Sequence, residues 1–206
     1  MIDLNYLVLG QLENNTYILK DEDSHEIAVI DPSVDSNELF SYIDENGKNL
    51  KYILLTHGHF DHIGGVCELV KRYNAQVCIS KLELDLLNNP SLNGAFAHDL
   101  NINEIKVDIE LSDNDVLKLG ENEIKFISTP GHTAGSGCFI INEWLFTGDT
   151  LFCQSIGRTD FETSSMSDMK NSLKKLRDLD GDFVVFPGHD VFSKLSTERM
   201  YNPYMK

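Results

Sequence analysis

Short apolar runs set between polar turns dominate the first third of the chain. Leu4–Leu9, Thr16–Leu19 and Ile27–Ile30 read as strands, separated by turns at Glu13-Asn14-Asn15 and Asp21–His25. Ser36 to Asn46 places Leu39, Phe40 and Ile43 at helical spacing behind cap-like polar residues and ends at Gly47, so a helix is predicted there. Tyr52–Leu55 is a continuous apolar run, suited to a strand buried on both faces. Ile63–Tyr73 predicts a helix with Val66, Leu69 and Val70 on one face, Gln76–Ile79 a strand, and Leu82–Leu87 a short helix. Strand and helix alternate, which indicates an α/β layer.

Periodicity fades between Asn88 and Ile109, where Asn, Pro, Gly and Ala predict an irregular connection of the sort that borders a site. Strands resume at Val116–Leu119, Glu123–Ser128, Cys138–Ile141, Trp144–Phe146 and Phe183–Phe186. Helices are predicted at Met169–Arg177 and Thr197–Tyr201. There is no repeat and no low-complexity tract, and 206 residues suit one domain, residues 1–206, with a substantial core.

Charge narrows the partners. Seventeen basic against thirty-three acidic residues give −16 and leave no Lys/Arg stripe, so nucleic acid is not an expected partner. The start of the chain lacks a basic region followed by an apolar one, and no apolar stretch approaches the ~18 residues of a membrane helix. A soluble cytoplasmic protein with no membrane partner is expected. Cys67, Cys78, Cys138 and Cys153 form no CxxC pair, so free thiols are expected.

The chemistry concentrates in Thr56-His57-Gly58-His59-Phe60-Asp61-His62, directly after an apolar strand. Residues two apart on extended chain point the same way, so His57 and His59 can face one ion. A helical turn would then carry Asp61 and His62 towards a second. Further candidates follow later strands, each just behind a glycine: His132, Asp149 and His189. Five imidazoles and two carboxylates are enough for two divalent ions if one carboxylate bridges them. The nitrogen-rich set favours zinc, with iron or manganese as alternatives. Cys153 is read as a lining thiol rather than a ligand.

In order, HxHxDH, GHT, GDT and PGH resemble the metallo-β-lactamase superfamily. The resemblance implies an αββα sandwich of two mixed β-sheets flanked by helices. It implies that His57, His59 and His132 hold one metal, Asp61, His62 and His189 the second, and that Asp149 bridges. Zinc β-lactamases of the commonest kind have Arg in place of His62 and Cys in place of Asp149, which disfavours antibiotic hydrolysis. Flavo-diiron members have Glu where His59 stands, and RNA-processing members add a nucleic-acid-binding arm.

The glyoxalase II-like group is similar over Asn14-Asn15-Thr16-Tyr17, Gly148–Phe152 and Ile156–Phe161. Full-length glyoxalase II continues into a helical domain that helps hold glutathione, whereas seventeen residues follow His189, so the chain resembles a short form. This widens the expected substrate from glutathione thioesters to small-molecule acyl thioesters in general, such as hydroxyacyl thiols. The implied reaction is hydrolysis by a hydroxide bridging two metal ions, with Asp61 orienting the nucleophile and Arg158 contacting an anionic substrate. Two other functions share the motifs: a mononuclear iron sulfur dioxygenase, using the equivalents of His57, His132 and Asp149, and a non-catalytic binding module. The latter predicts lost ligands, and none is lost.

Overall fold

The computed structural model describes residues 1–206. Six strands form the first sheet in chain order: β1 (Ile2–Leu9), β2 (Asn14–Asp21), β3 (Ile27–Ile30), β4 (Leu50–Leu54), β5 (Gln76–Ser80) and β6 (Ile109–Leu111). β1 to β3 pair antiparallel and β3 to β6 parallel. Parallel neighbours need crossovers. α1 (Asn37–Glu45) supplies the first, and α2 (Phe60–Ile63) with α3 (Val66–Tyr73) the second, while α4 (Leu84–Leu87) opens the long connection to β6.

The second sheet begins with β7 (Val116–Leu119), β8 (Asn122–Ser128), β9 (Gly137–Ile141) and β10 (Trp144–Gly148), an antiparallel succession. A hairpin of β11 (Leu151–Phe152) and β12 (Ser155–Ile156) follows, then α5 (Met166–Arg177). β13 (Val184–Pro187) returns parallel to β10, β14 (Ser193–Lys194) closes that edge, and α6 (Leu195–Tyr201) comes last. Both large sheets are mixed.

Strand alternation sorts the core into layers. Tyr17, Leu19, Ala28, Ile30, Tyr52 and Leu54 point between the sheets, against Phe126, Phe139, Phe146 and Phe186. Their neighbours Ile18, Ile27, Val29 and Ile53 turn the other way, onto Leu39, Phe40 and Ile43 of α1 and Leu69 of α3. Unbroken apolar runs are thus strands buried on both faces. Leu145 and Val185 likewise turn outward from the second sheet, onto Met169, Leu173 and Leu176 of α5. The result is helix, sheet, sheet, helix, the αββα sandwich expected.

Several local expectations change. The helix expected over Ile63–Tyr73 is broken at Gly64-Gly65, where a Cβ on Gly64 would collide with the Ser33 carbonyl oxygen. Asn14 and Asn15, read as a turn, open β2 and are buried. β6 lies at the edge of the region expected to be irregular, and the β11–β12 hairpin and β14 are too short for a periodic signal. α5 starts three residues early, at Met166, because Ser165 caps it: its Oγ accepts from the Asp168 N–H at 3.2 Å. All four cysteines are free, and no helix is long and apolar enough to cross a membrane.

Candidate metal centre

The chain leaving β4 carries His57 and His59, and the single turn of α2 adds Asp61 and His62. His132 follows β8, Asp149 follows β10 and His189 follows β13, so five of the seven expected residues sit on the chain leaving a strand and two on the short helix behind β4. The structure brings them together in overlapping groups: His57, His59 and His132; His57, His62 and Asp149; Asp61, His62 and His189. In each, one donor atom per residue lies within 4.8 Å of the others.

In the first group His59 Nδ1 and His132 Nε2 are 2.9 Å apart. In the third, Asp61 Oδ2 lies 3.1 Å from His189 Nε2 and 3.5 Å from His62 Nε2. Asp149 stands between them, with Oδ1 3.4 Å from His62 Nε2 and Oδ2 3.5 Å from His132 Nε2. One carboxylate thus presents a different oxygen to each group. His57 Nε2 and Asp149 Oδ1 are buried without a hydrogen-bond partner, whereas buried polar atoms are ordinarily satisfied. Unpaired donor atoms converging from imidazoles and carboxylates fit divalent metal ions. His59 Nε2 is also unpaired, and its ring packs edge-on against Phe161 at 4.9 Å between centroids.

A second layer of contacts fixes the ring orientations. His62 Nδ1 reaches Asp31 Oδ2 at 3.0 Å, His132 Nδ1 the Arg158 carbonyl at 2.9 Å and His189 Nδ1 the Leu12 carbonyl at 2.9 Å. His57 Nδ1 lies 3.1 Å from Thr56 Oγ1, whose hydroxyl donates to Asp31 Oδ2 at 2.6 Å. With one nitrogen so engaged, each of these rings offers the other to an ion. Buried Glu83 joins two of the loops, accepting from the N–H groups of Gly58 and Gly135 at 2.8 and 2.7 Å and from Thr133 Oγ1 at 2.7 Å. Asn15 Nδ2 donates to the carbonyls of Pro187 and Asp190 on either side of His189, each at 3.0 Å. Asn14 Nδ2 is 3.0 and 3.1 Å from the two nitrogens of His62 and lies against that ring.

The two ends of the cluster differ electrostatically. Burial, then the neighbouring imidazoles, hold His57 well below its usual range, and burial followed by His132 brings His59 down to about 3. Both rings are neutral, with lone pairs available. Burial also disfavours charge on His62, but Asp61, Asp149 and Asp31 outweigh it and push that ring up to about 10. Burial opposes ionisation of Asp61 too, yet His62 and His189 outweigh it and hold the carboxyl below the usual range. Protons at this end occupy the place a cation would take.

Sequence reasoning missed Asp31, Glu83 and the parts played by Asn14 and Asn15. Arg158 is exposed: its guanidinium donates to both Asp160 oxygens at 2.6 and 2.8 Å and lies over the Phe161 ring at 4.2 Å. Cys153 is half-buried and outside the groups that could share an ion.

The metallo-beta-lactamase superfamily model matches residues 9–189. The probable polyketide biosynthesis zinc-dependent hydrolase PksB of Bacillus subtilis is 33% identical over 177 residues, covering 85% of this chain and 72% of its own. The hydroxyacylglutathione hydrolase GloC of Haemophilus influenzae is 32% identical over 189 residues, 89% of each chain. The BLEG-1 B3 metallo-beta-lactamase superposes with a TM-score of 0.91 at 31% identity, covering 99% of this chain and 100% of its own. TTHA1623, solved in a di-iron-bound form, gives 0.84 at 30% identity, covering 97% and 99%. The matched span contains every residue of the cluster described above, and this chain belongs to the metallo-beta-lactamase superfamily.

Proposed function

We propose that this protein is a metal-dependent hydrolase of small-molecule acyl thioesters, hydroxyacyl thiols among them, working as one domain in the cytoplasm. His57, His59 and His132 hold one divalent ion in this reading, Asp61, His62 and His189 hold the second, and Asp149 bridges. The observation that carries it is the placement of Asp149, whose Oδ2 faces His132 and whose Oδ1 faces His62. The nitrogen-rich donor set and the zinc-dependent relative PksB support zinc, and the di-iron TTHA1623 makes iron the second choice. Ions so held would supply a water of lowered pKa, about 7, and a Lewis acid for the thioester carbonyl.

The chain's own groups do the rest. Asp61, held ionised, accepts a hydrogen bond from the attacking water and fixes its direction. The water oxygen bonds to the carbonyl carbon, the carbon–sulfur bond breaks, and carboxylate, thiol and one proton are released. Arg158 is a rim contact for an anionic substrate group once it parts from Asp160.

The test is thiol release from S-lactoylglutathione and from an acyl N-acetylcysteamine thioester by metal-loaded protein, beside Asp61→Ala. The variant is expected to lose about 10²–10⁴-fold in kcat; equal rates would remove Asp61 from the mechanism. BLEG-1 makes a β-lactam the natural control substrate. The sulfur dioxygenase reading is favoured by one observation: Asp149 Oδ2 lies 3.5 Å from His132 Nε2 and Asp149 shares a group with His57, which supplies two histidines and one carboxylate for a single iron. One iron per chain with persulfide-dependent oxygen uptake would establish that reading in place of the hydrolase.

A further inference from the structure

Beside the metal cluster lies a cleft of about 190 Å³ walled by Val34, Phe60, Leu100 and Ile102, with Asp35 and Asp61 also lining it. Asp61 belongs to both, so cleft and cluster share a wall. Val34 and Leu100 are exposed although apolar. An isolated exposed apolar residue needs no explanation, but four apolar side chains around one concavity next to a reactive centre do. The wall is held in shape: the Phe60 ring stacks on His98 at 4.3 Å between centroids, and Gly94, at φ +84°, leaves the room that ring occupies.

Charge in the cleft is of one sign. The lining contains two carboxylates and no Lys, Arg or His. Asp35 itself enters no ion pair within 4.0 Å, and the nearby Lys71 and Arg72, outside the cleft lining, are paired with Glu68. With Asp61 committed to an ion, Asp35 is the remaining charged group of the lining. A water's share of liquid volume is about 30 Å³, so the cleft admits a short aliphatic chain but not a large carrier.

We propose that this cleft is the acyl subsite of the thioesterase, and that it selects uncharged aliphatic acyl chains over chains that end in a carboxylate. The proposal rests on the thioesterase reading given above. An acyl carbonyl placed at the metal cluster directs its chain past Asp61 between Phe60 and Val34, leaving the thiol carrier on the open side near Phe161 and Arg158. Each methylene buried there contributes up to about fourfold in binding, and a terminal carboxylate meets Asp35.

The experiment holds the carrier constant and varies the acyl group, using acetyl, butanoyl, pentanoyl, hexanoyl and glutaryl N-acetylcysteamine thioesters with metal-loaded protein. kcat/KM is expected to rise at least tenfold from acetyl to hexanoyl, and glutaryl to fall at least tenfold below pentanoyl, its uncharged counterpart in chain length. Val34→Phe, which fills the cleft, is expected to flatten the chain-length profile. Asp35→Asn, an exposed and conservative change, is expected to narrow the pentanoyl-to-glutaryl ratio. Hydrolysis with no dependence on chain length, or with glutaryl equal to pentanoyl, overturns the subsite and leaves the thioesterase standing. No hydrolysis of any thioester overturns both.

Discussion

Nδ1 of His62 lies 3.0 Å from Oδ2 of Asp31, a carboxylate thirty-one residues earlier that also accepts from the Thr56 N–H at 2.8 Å and the Thr56 hydroxyl at 2.6 Å. Asp31 directly follows β3 and Thr56 follows β4, so one buried side chain ties two parallel strands to the cluster they present. Its backbone sits at φ +50°, in the left-handed region that Asp and Asn tolerate better than other side chains. With that backbone the carboxylate meets Thr56 and His62.

Asp31→Ala removes the acceptor for three buried donors and the partner of a buried charge, a loss of about 3–5 kcal/mol. Asp31→Asn tolerates the same backbone conformation and keeps one acceptor, so it is expected to fold better while binding metal about 10–100-fold more weakly. Urea unfolding in chelator and competition for metal with a chromophoric chelator measure the two effects separately. Unchanged metal affinity in Asp31→Asn would exclude an orienting role for Asp31.

Much of the site was legible because its ligands cluster locally or sit behind glycines at strand ends, as in His57–His62 and Gly188-His189. Asp31 and Glu83 were not. Each is a single carboxylate at a position that reads as an ordinary turn or short helix, and their partners His62 and Thr133 lie thirty-one and fifty residues away. The same reason hid the break at Gly64-Gly65: the local pattern is helical, and the obstacle is the backbone of Ser33 and Val34. Asn14 and Asn15 have turn propensity, but the packing of Asn14 against the His62 ring and the bonds of Asn15 to the Pro187–Asp190 segment accompany a strand instead.

Metal uptake is expected to release protons. Without metal, His62 titrates near 10 rather than at its ordinary 6.5, so it is protonated throughout the neutral range and must lose that proton to bind an ion. Its raised pKa stabilises the metal-free fold below 6.5 and loses that effect as pH rises through about 10. Metal binding runs oppositely: affinity rises across this window, about tenfold per pH unit for one proton, and levels off above it. Titration calorimetry in two buffers of different ionisation enthalpy gives the proton count. A count of zero at pH 7.5 would show that the ion does not displace a proton from His62.

Gly188 abuts the junction of the two ligand groups. A Cβ there would collide with Asp149 Oδ1 and lie 2.8 Å from His62 Cε1. Gly188→Ala is therefore expected to displace the proposed bridge and lower metal content from two ions per chain towards one, while the circular dichroism spectrum stays native. Elemental analysis of dialysed protein reads the result, and two tightly held ions would contradict the bridging role.

Glu83 separates support of the site from ligation. It touches no expected ligand side chain, yet its Oε2 accepts from the Gly58 N–H between His57 and His59, and its Oε1 accepts from Thr133 and the Gly135 N–H just after His132. It therefore fixes the spacing of the two loops that form the first ligand group. Burial pushes its carboxyl up, and the three donors only partly offset this, so the position requires acceptor oxygens more than it requires charge. Glu83→Ala leaves two buried N–H groups unpaired, each costing about 1–3 kcal/mol. Glu83→Gln retains one carbonyl acceptor, enough for Thr133 and the Gly135 N–H, but leaves the Gly58 N–H facing an amide donor, so it is expected to recover only about half of that loss. If Glu83 sets the geometry of the first group, Glu83→Ala weakens metal at that group beyond the general destabilisation, and saturating metal restores activity before it restores the unfolding midpoint. Parallel loss of both under all metal concentrations would reduce Glu83 to a purely structural role.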